Sequence, residues 1–339
     1  MRCLIIGNFG AMNYGDEAIL AGELEELKKV PGLTVVVAAR FPNEVKRIHG
    51  VEAVSLYSLQ RVVAEVQNSD FVIVGGGGII NKFERGLFGL AYQLYMLVIC
   101  FQAPRIYKKK IYALGLGVYS NAHPFIKRIT TSMLRNSQMT TVRDYHSYDY
   151  LKSKNINARL YKDNSYSMKI LPAEKVREDK YFKKYYKNNK INVAISLVKP
   201  DSKKEEKHLL NQISTFIENN YPIADFWFYS SDYNPSYIND EKFGHKLHEI
   251  LKKKLGKKAK FNFIPTDWHP QKFFSSLKLM DFVVTMRFHT TLFTYRNNID
   301  FLGITYDTKC TSLLQSIGKN PLSVKNLHWE DLQKSFARS

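Results

Sequence analysis

MRCLIIGNFGAMNYGDEAILAGELEELKKV, residues 1–30, sets the reading of the whole chain. Residues 3–6 form a short apolar run suited to a buried strand, and the run ends in a turn carrying Gly7, Gly10 and Gly15. From residue 16 to residue 30 the period changes. Ile19, Leu20, Leu24 and Leu27 recur at helical spacing, with Glu23, Glu25, Glu26 and Lys28 on other faces. Strand, glycine turn and helix in that order open an α/β unit. The glycine spacing is neither GxGxxG nor GxxxxGK[ST], which excludes the standard dinucleotide fingerprint and the P-loop. The apolar run is too short for the core of a signal sequence, so the chain is expected in the cytosol.

The same rhythm continues outward. Strand-like runs occur at 2–7, 34–38, 71–74, 111–114, 140–142 and 158–161, with a further helical pattern at 124–135. It breaks at LPAEKVREDKYFKKYYKNNK, residues 171–190, which has many lysines and no clear apolar period and reads as a linker plus an irregular or helical excursion. It then restarts, with strands at 191–197, 225–229, 260–264, 282–285 and 300–305 and helices at 205–219, 239–254, 270–279 and 309–317. Such alternation implies parallel sheets covered by helices on both faces. The expected fold class is therefore α/β, with two Rossmann-like domains, 1–170 and 191–339, facing across a cleft. A length of 339 residues suits two domains.

Charge narrows the partners. Lys and Arg number 50 against 31 Asp and Glu, a net charge of +19, which suggests an anionic partner. Residues 1–170 hold 22 basic and 13 acidic side chains, and residues 171–339 hold 28 and 18, so the excess is not a terminal tail. No RNP-like, zinc-finger or helix-turn-helix pattern is present, and nucleic acid is not an expected partner. KYFKKYYKNNK, residues 180–190, reads as a solvated helix face or loop. Cys3, Cys100 and Cys310 stand far apart, so neither a disulfide framework nor a metal site is expected. GLFGLAYQLYMLVICF, residues 86–101, is uncharged but shorter than the roughly 20 residues of a membrane span. It reads as a buried core helix. The alternative is a helix in the membrane interface, with Lys108, Lys109 and Lys110 beyond it.

In open α/β sheets chemistry gathers at the carboxyl ends of strands. Asp16 and Glu17 stand there, as helix caps or as catalytic carboxylates. Gly75 to Gly78 follow another strand, either to bring backbone N–H groups near a ligand or to pack a turn under a helix. LGLGVYSNAH, residues 114–123, follows a third. Arg143 would point into the cleft, or pair at the surface with Asp144 or Asp149, and Asp163 follows the next strand. The sharpest site is VVTMRFHTTLFTY, residues 283–295. Arg287 and His289 sit at a strand-to-helix junction, where the helix dipole favours an anion, Arg offers a bidentate fork and His moves a proton near neutral pH. Tyr306, Asp307 and Lys309 reach the same edge after the next strand.

These segments, in this order, resemble the polysaccharide pyruvyltransferases over roughly residues 1–318. GNFGAMNYGDEAIL resembles that family's opening motif, FVIVGGGGII its glycine turn, ALGLGV its Gly-x-Gly segment and TVRDYHSYDYL its Val-Arg-Asp segment. MRFHTTLF and GITYDTKCTSLLQSIG resemble its Arg-x-His helix and Tyr-x-x-Lys segment. Phe288 replaces a usual leucine and Thr290 a usual small residue. The resemblance implies a glycosyltransferase-B-like fold and transfer of the enolpyruvyl carbons of phosphoenolpyruvate onto two hydroxyls of a sugar in a bacterial surface or capsular polysaccharide. Phosphate is released and no cofactor is needed. It places Arg143, Arg287, His289 and Lys309 on phosphoenolpyruvate, in the C-terminal half for the last three. It places Asn13, Gly15, Asp16, Gly76 and Gly77 on the acceptor. From the groups available, His289 is the expected proton donor and Asp16 or Glu17 the expected base. The rival reading is a nucleotide-sugar glycosyltransferase of the same fold. The surplus lysines suggest a lipid-diphosphate-linked acceptor and a peripheral contact at the inner membrane face.

Overall fold

The computed structural model describes residues 1–80, 86–118, 122–187, 189–235, 239–256 and 260–338. The chain divides into two compact units. One is made of Met1–Met12 and Asp16–Lys169, the other of Asn13–Gly15 and Ile170–Ser339.

In the first unit the elements run β1 (Arg2–Ile6), α1 (Tyr14–Leu27), β2 (Thr34–Ala39), α2 (Pro42–His49), β3 (Glu52–Ser55), α3 (Leu59–Asn68), β4 (Phe71–Val74) and β5 (Gly77–Ile80). Then follow α4 (Gly86–Leu97), a π-helical turn (Val98–Gln102), α5 (Ala103–Ile106), β6 (Lys110–Val118), α6 (Pro124–Leu134), β7 (Met139–Val142), α7 (Tyr145–Ser153) and β8 (Ala158–Leu160). Among the described residues the strands form one eight-stranded sheet in the order β3-β2-β1-β4-β6-β7-β8, with β5 beside β6. All its pairings are parallel. Parallel strands need covering on both faces, and β1 shows it. Leu4 and Ile6 enter one core with Val36, Val72 and the buried end of the α4 helix, while Cys3 and Ile5 enter another with Ile19, Leu20 and Leu24 of α1.

The second unit continues with α8 (Ala173–Arg177), α9 (Lys180–Tyr185), β9 (Ile191–Ser196), α10 (Lys203–Asn220), β10 (Ala224–Phe228), α11 (Asp240–Leu255), β11 (Phe261–Phe263) and α12 (Pro270–Ser275). It ends with β12 (Phe282–Thr285), α13 (Phe288–Arg296), β13 (Asp300–Thr305), α14 (Thr308–Ser316), β14 (Leu322–Ser323) and α15 (Trp329–Phe336). Its six-stranded sheet has the order β11-β10-β9-β12-β13-β14, again parallel. In both sheets the strand order reverses once, between β1 and β4 and between β9 and β12. Ligands of open α/β sheets bind at such a switch point, beyond the carboxyl ends of the strands.

Several details depart from the sequence reading. The stretch 171–190 carries the helical excursion, α8 and α9, and belongs to the second unit. Its lysines face outward while Phe182 of α9 is buried against Trp227 and Trp268 of the second unit. Helix α1 stops at Leu27, after which the Lys29 and Val30 amides turn back three residues, to Glu26 O and Leu27 O, ahead of Pro31. Glu23, read onto an outer face of α1, is buried. Strand β6 runs on to Val118 through Gly115 and Gly117, longer than the expected 111–114. The apolar run at 86–101 extends to Ile106, and only its later part is core. Residues 119–121 of LGLGVYSNAH and Asn188 of KYFKKYYKNNK lie outside the described residues.

Candidate active site

In the second unit the switch point is occupied by the turn from β12 to α13. Thr285 ends the strand, and its hydroxyl accepts from the Arg287 amide at 3.2 Å. Arg287 is the cap residue of α13, and it offers no side-chain acceptor to the first turn. The positive end of the helix dipole therefore faces whatever binds there. Asp240, at the start of α11, takes one edge of the guanidinium. Its Oδ2 accepts from Arg287 Nε at 2.8 Å and its Oδ1 from Nη2. Asp240 is itself buried and also accepts the amides of Ser231 and Asp232, each at 3.1 Å. Burial alone would lower the Arg287 pKa, but Asp240 and Asp232 reverse this and hold it above the usual arginine range. With the Nε–Nη2 edge committed, the Nη1 side of the fork is the one a carboxylate or phosphate would meet.

The three residues Asn13–Gly15, although early in sequence, pack on the loop after β10, on α12 and on the first turn of α13. Asn13 bridges to Asp232, and the Tyr14 amide donates to Ser231 O at 2.8 Å. The Tyr14 ring stacks on Phe273 at 3.7 Å between centroids. Asn13 Oδ1 accepts from the Gly15 amide at 2.9 Å. Gly15 has to be glycine here, because a Cβ would fall 2.2 Å from His289 Nδ1. The ring of His289, half-buried on the first turn of α13, thus lies directly against the backbone of the opening motif. Thr290 beside it is buried, with its hydroxyl 3.0 Å from Ser231 Oγ and 3.3 Å from Ser196 Oγ.

Helix α14 completes this edge. Asp307 caps it by accepting from the Cys310 amide at 2.9 Å, and its other oxygen lies 3.5 Å from Lys309 Nζ. The Cys310 thiol donates to Met286 O at 3.3 Å, tying α14 to the turn before Arg287. Tyr306 lies within electrostatic reach of Arg287.

The first unit has its own switch-point cluster, and two of the carboxylates there are structural. Glu17 is buried, accepting from the Gly10 amide at 2.8 Å and meeting His49 Nε2 at 2.8 Å. Both oxygens are committed, which removes Glu17 as the catalytic base. Asp16 is half-buried, and its Oδ2 accepts from Asn8 Nδ2 at 2.7 Å. Gly77, at φ +104, passes close enough that a Cβ would stand 3.6 Å from Asp16 Oδ1. The amide of Gly76, expected at the acceptor, instead donates to Glu23 Oε1 at 3.1 Å, and a Cβ there would meet Ile19 at 3.0 Å. The tetraglycine thus packs in part under α1. Glu23 Oε1 also accepts from Asn164 Nδ2 at 2.7 Å. Burial pushes the Glu23 carboxyl up to about 7 despite these two bonds.

Arg143 is buried beside Gly117 and pairs with Asp163 at 2.9 Å. This buried pair differs from the surface pairs considered from sequence. Asp144 instead caps α7 by accepting from the Ser147 amide.

The structure therefore brings Asn13, Gly15, Arg287, His289 and Lys309 into the second unit. It puts Asp16, Glu17, Gly76, Gly77 and Arg143 in the first. Sequence reasoning missed Asp240, Asp232 and Glu23. Asp232 carried the signal, since it follows β10 as Arg287 follows β12. Asp240 looked like any acidic first-turn residue. Among the described residues no group of three or more His, Cys, Asp or Glu side chains could hold a metal, and the three cysteines are free and buried.

Comparison with solved structures gives the fold. The UDP-GlcNAc 2-epimerase of Neisseria meningitidis bound to UDP-GlcNAc superposes with a TM-score of 0.64 at 12% identity, over 100% of this chain and 91% of that one. The S. aureus MnaA–UDP co-structure gives 0.67 at 12%, over 100% and 88%. The E. coli ADP-heptose lipopolysaccharide heptosyltransferase II gives 0.54 at 10%, over 100% and 98%. These are the epimerases and glycosyltransferases of the glycosyltransferase-B-like fold expected from sequence. No curated protein matches the chain. A family model described as polysaccharide pyruvyl transferase matches residues 13–308, from the Asn13 that bridges to Asp232 to the first residue of α14, and the chain belongs to that family.

Proposed function

We propose that the protein transfers the pyruvyl group of phosphoenolpyruvate onto two hydroxyls of a sugar, forming a pyruvate ketal and releasing phosphate. One observation supports this above the rest. Arg287, held rigid by Asp240, and His289, held against Gly15, stand on the first turn of one helix at a topological switch point. That pairing suits a small dianion that must also receive a proton. Arg287 and the α13 dipole would hold its carboxylate or phosphate, with Lys309 as a further cation.

His289 would then protonate the methylene carbon of phosphoenolpyruvate. The double bond is consumed, and the enol carbon becomes electrophilic. A sugar hydroxyl adds to that carbon, forming the first C–O bond. The second hydroxyl forms the second C–O bond as the bond to the phosphate oxygen breaks. Of the two hydroxyl protons, one restores His289 and the other leaves with phosphate. Asp16, next along the chain after Gly15, is the carboxylate proposed to take up the second of these on its way to the departing phosphate. Glu17 is excluded from this role by its burial and its two partners.

Calorimetric titration with phosphoenolpyruvate tests the binding half. Arg287→Lys keeps the charge but loses the fork that Asp240 and the ligand share. Its affinity should fall by at least about tenfold, in line with the loss of one charge-assisted bidentate contact. Unchanged affinity would remove Arg287 from the site.

A further inference from the structure

The first unit carries an exposed apolar rim in addition to its switch-point cluster. Leu87 is 83% exposed, Phe88 87%, Phe125 50%, Tyr145 66% and Tyr161 68%. Leu87 and Phe88 begin α4 after β5, and Phe125 begins α6 after β6. Tyr145 begins α7 after β7, and Tyr161 directly follows β8. Helices after strands of a parallel sheet begin at the strands' carboxyl ends. These strands are neighbours in one sheet, and strands lie about 4.8 Å apart. The five side chains therefore share one stretch of one sheet edge, the edge on which Gly77 and Arg143 also lie.

The helix that opens this rim is unusual. Gly86–Ile106 is long and apolar enough to cross a membrane by length and composition, yet only a third of its most apolar stretch is buried. Met96, Leu97, Ile99, Cys100 and Phe101 belong to the core, so the helix cannot leave the fold. Its first turn stands out of it.

Charge is concentrated in the same segment. Residues 86–162 contain twelve lysines and arginines against two acidic residues, Asp144 and Asp149. The rest of residues 1–170 contains ten basic and eleven acidic side chains. Of these, Lys127 and Arg128 near the start of α6 and Lys162 after β8 lie on the rim side, whereas Lys108, Lys109, Lys110, Arg135, Lys152 and Lys154 stand where helices end, at the opposite edge of the sheet. Arg128 on α6 and Lys162 beside Tyr161 are exposed.

We propose that this rim is a docking surface for a phospholipid membrane with anionic headgroups. Leu87, Phe88 and Phe125 enter the boundary between headgroups and acyl chains. Tyr145 and Tyr161 lie at headgroup level, and Arg128 and Lys162 meet the phosphates. Apolar insertion and basic attraction are the two signals that stable peripheral binding needs. Resting on the transfer reading above, the docked rim would present a lipid-anchored glycan to the edge that carries Gly77. The docking itself does not depend on that reading.

The experiment is flotation of the full chain with vesicles of phosphatidylcholine alone and of phosphatidylcholine with added phosphatidylglycerol. The protein should float with the anionic vesicles and not with the neutral ones, and added salt should release it. The double variant Leu87→Ser/Phe88→Ser and the double variant Arg128→Glu/Lys162→Glu should each lower the bound fraction by at least about tenfold. All four side chains are exposed, and circular dichroism checks that the variants fold. No flotation with anionic vesicles, or unchanged flotation of the Leu87→Ser/Phe88→Ser variant, would overturn the proposal. So would a concentration-dependent dimer that this variant abolishes, which would assign the rim to a second copy. Phosphoenolpyruvate turnover is not read in this assay, so its outcome stands apart from that of the transfer reading.

Discussion

Glu23 shows how much one residue's environment outweighs its pattern. Helical spacing put it with the polar residues of α1, yet it is buried between the Gly76 amide and Asn164. Only a short stretch of the sequence, the glycines that bring a second strand end under α1, hints at this, and no helical periodicity reports it. Its carboxyl is raised to about 7 from the ordinary 4.5, with burial as the leading cause. The folded state therefore holds this proton more tightly than the unfolded chain. The stabilisation is complete below about pH 4.5 and is lost as pH rises through 7. A shift of this size corresponds to a change on the order of 3 kcal/mol across that window. Glu23→Gln keeps an acceptor for Gly76 and Asn164 but cannot ionise. Urea unfolding at pH 5 and pH 8 should show a smaller loss of stability in the variant than in the wild type. Equal losses would mean that Glu23 is not the titrating group. Gly15 is the complementary case. Its sequence context suggested only a tight turn, whereas its absent side chain makes room for a histidine more than 270 positions away.

At the scale of elements, strand ends were the most legible feature. The runs at 71–74, 282–285 and 300–305 match β4, β12 and β13 residue for residue, because buried parallel strands are continuous apolar runs bounded by turn residues. Strands β3, β5 and β14 are not legible in the sequence. The first is only partly buried, the second begins with two of the four glycines, and the third is two residues long, so none leaves an apolar signature. Helix α14 illustrates what a cap contributes. Asp307 accepts the Cys310 amide and lies near Lys309. Asp307→Ala should cost about 0.5–2 kcal/mol of stability, the usual range for a lost N-cap. It should appear as a lower urea midpoint with an unchanged slope. An unshifted midpoint would show that the cap is dispensable and that the Cys310 contact to Met286 alone seats the helix.

Over the whole molecule, the two-sheet α/β architecture followed from alternation alone, and the family from six segments in order. The division of labour within those motifs did not. Of the two carboxylates at the start of α1, one is half-exposed and one is a buried partner of His49, a difference set by packing against α2 that spacing cannot express. The partner of Arg143 was likewise not one of its sequence neighbours but Asp163, brought in by strand β8. The central claim is that His289 supplies a proton to phosphoenolpyruvate while a sugar takes its pyruvyl carbons. It is tested most directly by incubating the protein with phosphoenolpyruvate and a panel of oligosaccharides in D2O, following released phosphate and the mass and proton spectrum of the glycan. The account predicts a glycan bearing a pyruvate ketal whose methyl group has gained deuterium, formed in step with phosphate. It also predicts a rate lowered about 10²–10⁴-fold in His289→Ala. A glycan left unchanged by phosphoenolpyruvate but extended from a nucleotide sugar, or a His289→Ala variant that turns over at the wild-type rate, would contradict it.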